Sequence, residues 1–132
     1  MEKKTNYSIQ TLLESRSFLY VLLLIVTICF VSTYTKIYDV KLDMNGDNIH
    51  YYALGKALAE GKGFTNTISF SETPHTHFPP GYPVFVAGVM KFFPDNINAV
   101  KIANGILLYA AILLLFFLLK KISGSIIVAF LT

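Results

Sequence analysis

The 132-residue sequence predicts an all-α membrane protein. It has two complete transmembrane helices and the start of a third, with amphipathic juxtamembrane helices in the first outer loop. Three observations predict this class. The chain is 54% hydrophobic, with a mean hydropathy of +0.55, which leaves too little polar surface for an ordinary soluble domain. The apolar residues are gathered in blocks, and the blocks at 18–34 (FLYVLLLIVTICFVSTY) and 102–119 (IANGILLYAAILLLFFLL) carry no charge. At the α-helical rise each block is about 25–27 Å long, close to the ~30 Å hydrocarbon core once flanking residues are added.

The first block follows a polar leader, residues 1–17, and is assigned to a transmembrane helix over 18–34. A cleavable signal peptide is the competing reading. Signal cores are about 7–15 residues long, shorter than this block, and Ser32-Thr33-Tyr34-Thr35-Lys36 offers no small-x-small cleavage site. An uncleaved anchor fits better. The second helix is expected over 99–119 and a turn over 120–125. The apolar block at 126–132 then reads as the truncated start of a third transmembrane helix of a longer protein.

Lys3, Lys4 and Arg16 precede the first helix, and Lys120 and Lys121 follow the second, so both ends belong on the cytoplasmic side. The loop over 35–98 then faces the periplasm or the outside, and the expected location is a bacterial inner (plasma) membrane. The net charge of +3 and pI near 9.0 follow from this topology. No basic stripe interleaved with aromatics is present, which argues against nucleic acid as a partner.

Within the loop, Asn45-Gly46-Asp47 reads as a turn, with Asp47 as N-cap of a helix over about 47–60. Tyr51, Leu54 and Leu58 recur at i, i+3 and i+7 as its apolar face, and Ala53 and Ala57 permit close approach. Gly61 and Gly63 end it. Such a helix suits a membrane surface or a packed neighbour. Residues 65–76 read as an irregular loop or short hairpin. Phe78-Pro79-Pro80-Gly81 then fixes the backbone, and an apolar helix resumes over 80–93, too short to span and therefore interfacial or re-entrant. Phe93-Pro94-Asp95-Asn96 breaks it.

The candidate chemistry centres on Asp47, a carboxylate at a lipid boundary whose plainer role is helix capping. Tyr51, one turn on, either lines the same site or anchors the helix at the interface. Tyr82 sits among prolines and reads chiefly as architecture. His50, His75 and His77 with Glu72 could be imagined as a zinc site. An H-x-H pair on an irregular loop lacks the i, i+4 geometry of one, so no metal site is assigned. Asp39 and Asp43 read as solvated loop charges, Asp43 standing in for Asp47 if the register shifts. Cys29 is the only cysteine, which rules out a disulfide within the chain; it reads as a small packing residue.

The order of these features carries a resemblance. A membrane helix, Asp47 heading a helix of pattern D-x3-Y-x5-A-L-x2-G-x-G-F, then PPGYP, an interfacial helix and a second membrane helix resembles the N-terminal part of GT-C fold membrane glycosyltransferases. The nearest branch includes the dolichyl-phosphate-mannose protein mannosyltransferases and the aminoarabinose lipid A transferases. The resemblance covers roughly residues 18–121. It implies inverting transfer of a sugar from a polyprenyl-phosphate donor to a lipid, glycan or protein acceptor on the outer face, among membrane lipids. Asp47 matches the family's catalytic acidic residue, and Tyr51, His77 and Tyr82 are the candidate substrate contacts around it. His77 lies where some relatives place a basic residue toward the phosphate. The resemblance fixes no cofactor and leaves room for a divalent metal. One departure is plain: Asn48 stands where many members carry a second acid, which leaves Asp47 the sole strong candidate.

Two other classes compete with the enzyme. One is a small non-enzymatic membrane protein whose loop mediates partner interaction. The other is a piece of a polysaccharide polymerase or flippase, against which the aspartate, helix and PPGYP order argues.

Overall fold

The computed structural model describes residues 15–39, 46–68, 73–74 and 77–131. The described chain is all-helical apart from one very short extended pair. In order it runs α1 (Arg16–Ile37), α2 (Asp47–Ala59), β1 (Thr65–Asn66), β2 (Thr73–Pro74), α3 (Gly81–Phe92), α4 (Ile97–Ser123) and α5 (Ile126–Leu131). It divides into two compact units, one of Met1–Tyr38 and Ile106–Thr132, the other of Asp39–Gly105.

In the first unit, α1 starts at Arg16, two residues earlier than expected, because Ser15 caps it. The Ser15 Oγ accepts the Phe18 N–H at 3.2 Å. Lys36 lies in its last turn, where a cation complements the negative helix end. With 22 and 27 residues, α1 and α4 are about 33 and 40 Å long, so each exceeds the ~30 Å of a hydrocarbon core. Both helices are long and apolar enough to cross a membrane. Only 6% of the most apolar stretch of α1 and 11% of that of α4 is buried, so among the described residues both are left largely uncovered.

Where they do meet, Leu22 of α1, Phe116 of α4 and Ile126 and Ala129 of α5 form a small apolar cluster. Gly124, at φ +68°, turns α4 into α5 in a conformation that favours glycine. A polar contact lies among these apolar side chains. The Thr27 hydroxyl donates to the Leu23 carbonyl at 2.7 Å, so the Tyr109 hydroxyl, 2.6 Å away, donates to Thr27. Phe30 stacks beside Tyr109 with ring centroids 5.0 Å apart. The packing role expected for Cys29 does not hold. Its side chain is exposed, at an apolar recess of about 430 Å³ that Phe30, Tyr34, Leu108 and Phe130 also line.

The second unit is built on the pairing of α2 with α3. Along α3, Pro83, Val86, Ala87 and Met90 are buried, the i, i+3, i+4, i+7 signature of one face. Val86 and Met90 join Val100 of α4 in the core, with Tyr52, Phe85 and Ile97 packed around them. Pro83 falls in the first turn of α3, where its missing N–H costs no helical bond. The face α2 offers is rotated from the expected one. Leu54, Gly55 and Ala57 are buried, whereas Tyr51 and Leu58 are only half-buried. The reason is Gly55. A Cβ built there would lie 2.5 Å from Val86 Cγ1 and 2.7 Å from Val86 Cβ, so the two helices touch through a missing side chain.

The helix ends explain the remaining geometry. Asp47 is not the N-cap. Gly46 takes that position at φ +57°, there is no side-chain capping bond, and Asp47 becomes the first helical residue. Only a residue without a Cβ enters that backbone region cheaply, so the cap moves one residue upstream. At the other end, Gly61 at φ +76° sends its N–H to the Leu58 carbonyl, and Lys62 sends its N–H to the Ala57 carbonyl. These are the paired bonds of a Schellman closure. The loop expected over 65–76 contains a two-residue antiparallel pair, Thr65 opposite Pro74 and Asn66 opposite Thr73. The start of α4 is capped by Asn96, whose Oδ1 accepts the Ala99 N–H at 3.1 Å.

The contact at Gly55 makes a quantitative prediction. Gly→Ala in a helix gains up to about 1 kcal/mol from propensity, whereas overpacking a tight contact costs about 1–3 kcal/mol. Gly55→Ala should therefore lower the unfolding midpoint of the detergent-solubilised protein. Gly55→Ala with Val86→Ala should recover part of that loss, because the clash is with Val86 itself. Equal loss in single and double variants would show that the contact is not the cause.

Candidate functional site

The α2–α3 pairing brings the start of α2 against the segment that leads into α3. Asp47 lies on the first turn of α2, exposed to solvent. His50 and Tyr51 follow it at i+3 and i+4, so they share its helix face. Both rings reach Phe78. His50 stacks on it with centroids 5.1 Å apart, and Tyr51 tilts against it at 5.0 Å. Tyr51 also meets Tyr82 edge-on at 5.4 Å. Tyr82 in turn stacks near Phe85 and receives a hydrogen bond from Asn104 Nδ2 on its hydroxyl at 2.7 Å. His77, exposed, sits edge-on to Phe78.

Three of the four residues singled out from the sequence are therefore linked by contact. Tyr51 and Tyr82 are in direct contact, His77 reaches them through Phe78, and Asp47 stands one turn upstream on the same face. Three participants were not anticipated in this role. Phe78 is the hub of the cluster, His50 is its second lid, and Asn104 ties Tyr82 to α4. Phe78 had a readable signal, since it directly precedes the prolines that hold it in place. Asn104 had none, lying inside a run read as membrane helix.

Chemically, the region offers aromatic faces and two imidazoles, with the exposed Asp47 carboxylate one turn upstream. Among the described residues, no three His, Cys, Asp or Glu side chains converge as metal ligands. Asn48, next to Asp47, brings an amide and not a second anion, so these residues do not form a built divalent-cation site. Asp43, Glu72 and His75 lie outside the described residues. Asp39 is exposed, as expected of a loop charge, and its backbone carbonyl accepts a hydrogen bond from the Lys101 ammonium.

A second polar group closes the far end of α2. Lys56 Nζ lies 2.6 Å from Asp95 and 3.8 Å from Glu60, and Lys62 lies 2.9 Å from Glu60. Asp95 holds this position with a left-handed backbone, φ 52°, which aspartate adopts more readily than most residues. The hydrogen bond and charge of Asp95 raise the Lys56 pKa above its ordinary 10.5. All partners are solvent-exposed, so the tie is screened by salt and orients more than it stabilises.

Two predictions follow from these contacts. Tyr82→Phe keeps the ring against Tyr51 and loses only the Asn104 bond, worth about 0.5–1.5 kcal/mol. Phe78→Ala removes the hub and should cost more; chemical denaturation followed by near-ultraviolet circular dichroism compares the two. For Lys56, a raised folded-state pKa means that the contribution is complete below lysine's ordinary value and is lost as pH rises through the raised one. The gap in thermal midpoint between wild type and Lys56→Met should close over that alkaline range and shrink in high salt.

Set against known protein families, curated proteins and solved structures, the chain matches none.

Proposed function

We propose that α1 and α4 span a membrane and that the second unit presents Asp47 as the base of a sugar transfer. The donor is a polyprenyl-phosphate sugar, and the acceptor is a hydroxyl on a lipid, glycan or protein at the outer face. In this reading the acceptor O–H gives its proton to the Asp47 carboxylate as its oxygen attacks the anomeric carbon. The bond from that carbon to the phosphate oxygen breaks, and polyprenyl phosphate leaves with the electron pair, inverting the centre. A well-placed base contributes about 10²–10⁴-fold to such a step. The leaving phosphate needs compensating interactions, and His77 is the residue proposed to contact it; no step is assigned to a metal.

The observation that carries the reading is the state of Asp47. Its plain structural role, capping α2, belongs instead to Gly46, and Asp47 is the exposed first residue of the helix. That exposed carboxylate lies one turn before His50 and Tyr51, whose rings meet Phe78, in a chain with two membrane-length helices. This agrees with the order of motifs that resembles the GT-C glycosyltransferases.

The same observation makes the test clean, because the fold does not depend on Asp47 as a cap. In the full-length gene product reconstituted in vesicles, Asp47→Asn should reduce release of polyprenyl phosphate from a polyprenyl-phosphate hexose by at least about 100-fold. Expression should hold and the unfolding midpoint should fall only slightly, by the helix-dipole contribution of a first-turn acid of about 0.3–1 kcal/mol, and Asp47→Glu should retain part of the rate. Transfer at the wild-type rate in Asp47→Asn would sink the assignment and leave the loop as a binding surface.

A further inference from the structure

The hydrogen bond that ties α3 to α4 is only half closed. Asn104 sends its Nδ2–H to the Tyr82 hydroxyl at 2.7 Å, across 22 residues of sequence. A phenol hydroxyl both accepts and donates. Asn104 occupies the acceptor, so the Tyr82 O–H still has a proton to give, and no described residue takes it. The Asn104 Oδ1 is likewise left without a donor among the described residues. Tyr109 behaves otherwise. It gives its proton to Thr27, which passes its own to the Leu23 carbonyl, and that chain ends on the backbone. A tyrosine that only fastens two helices needs no more than this.

The Tyr82 ring is held as well as its hydroxyl. Tyr51 meets it edge-on at 5.4 Å, and Phe85 stacks near it at 6.0 Å. Tyr82 nonetheless remains 40% exposed, and Asn104 is half-buried. The two polar groups therefore stand at a rim that a ligand can reach, beside Tyr51. Over residues 102–108 Asn104 is the only side chain able to form a hydrogen bond. An apolar residue there could pack against the Tyr82 ring, but it could not direct the hydroxyl.

We infer that the Tyr82 O–H and the Asn104 Oδ1 form a donor–acceptor pair that reads one hydroxyl group of the sugar. The sugar hydroxyl accepts from Tyr82 and donates to Asn104. A hydroxyl is the group that fits, because it can do both. A phosphodiester oxygen or a carboxylate would accept from Tyr82 but bring no proton to Asn104. An ammonium would satisfy Asn104 and leave Tyr82 without an acceptor. The inference rests on the sugar transfer proposed above for the source of the hydroxyl, and it gives Asn104 a part in specificity.

The test measures binding to the full-length gene product in vesicles. The probes are the polyprenyl-phosphate forms of glucose, mannose and galactose, with their monodeoxy analogues. Wild type should bind at least one of the three sugars, and removal of one particular hydroxyl should weaken that binding about tenfold. Tyr82→Phe removes the donor. Asn104→Asp keeps the shape and the link to Tyr82, but a carboxylate only accepts, so it turns the bond round and takes the Tyr82 proton. Both variants should bind the parent sugar about tenfold more weakly, and the analogue lacking that hydroxyl as well as wild type does. If Asn104→Asp fails to accumulate, Tyr82→Phe carries the test alone. Unchanged affinity for the parent sugar would overturn the inference and leave sugar transfer standing. Losses spread evenly over every analogue would do the same, since they mark a displaced helix. A wild-type protein that binds none of the three sugars would overturn sugar transfer itself, and this inference with it.

Discussion

The second unit depends on the absence of one side chain. Gly55 lets the backbone of α2 come within contact of Val86, and from that approach the rest follows. It buries Leu54 and Ala57, leaves Tyr51 half-buried, and so leaves the Tyr51 ring able to touch both Phe78 and Tyr82. A larger residue at 55 would force α2 outward or rotate it, and the aromatic contacts would separate before the core did. Dispersion contacts fall off steeply with distance, so a small gap at the helix pair becomes a lost contact at the cluster. The candidate chemistry is therefore held by packing one turn further along the same side of α2, where Gly55 follows Tyr51 at i+4.

The two ends of α2 divide their labour. At the start, Gly46 relieves Asp47 of capping, so the carboxylate is positioned by the helix without being consumed by it. At the end, Gly61 closes the backbone while Lys56, Glu60 and Asp95 link the last turns to the α3–α4 connection. The first is a question of backbone conformation and the second of charge. Their strengths differ accordingly: a left-handed glycine is indifferent to ionic strength, and an exposed ion pair is not.

How much of this could be read in the sequence differs from element to element. The uncharged runs predicted α1 and α4 because length and hydrophobicity alone decide whether a helix can cross a bilayer. The span of α3 was legible to within a residue at each end, since Pro80 and Pro94 bracket it. The orientation of α2 was not. A count of apolar side chains finds Tyr51, Leu54 and Leu58, but it cannot see that a glycine buries more closely than a leucine when the neighbour is a β-branched valine. The capping of Asp47 failed for a related reason: a side-chain preference was read where a backbone preference, that of Gly46, prevailed. Asp47, Tyr51, His77 and Tyr82 were each legible as residues, but the meeting of Tyr51 and His77 at Phe78, and of Tyr51 with Tyr82, was a property of the fold.

The hydroxyl chain from Tyr109 through Thr27 to the Leu23 carbonyl has a consequence for how the first unit can move. Two helices with bare apolar flanks can slide along each other at little cost, because one leucine surface resembles the next. Here a slide of one turn would leave the Tyr109 hydroxyl among apolar side chains without its acceptor, a penalty that apolar contacts do not impose. The pair therefore fixes the register of α1 on α4, one polar contact setting what the apolar flanks leave open.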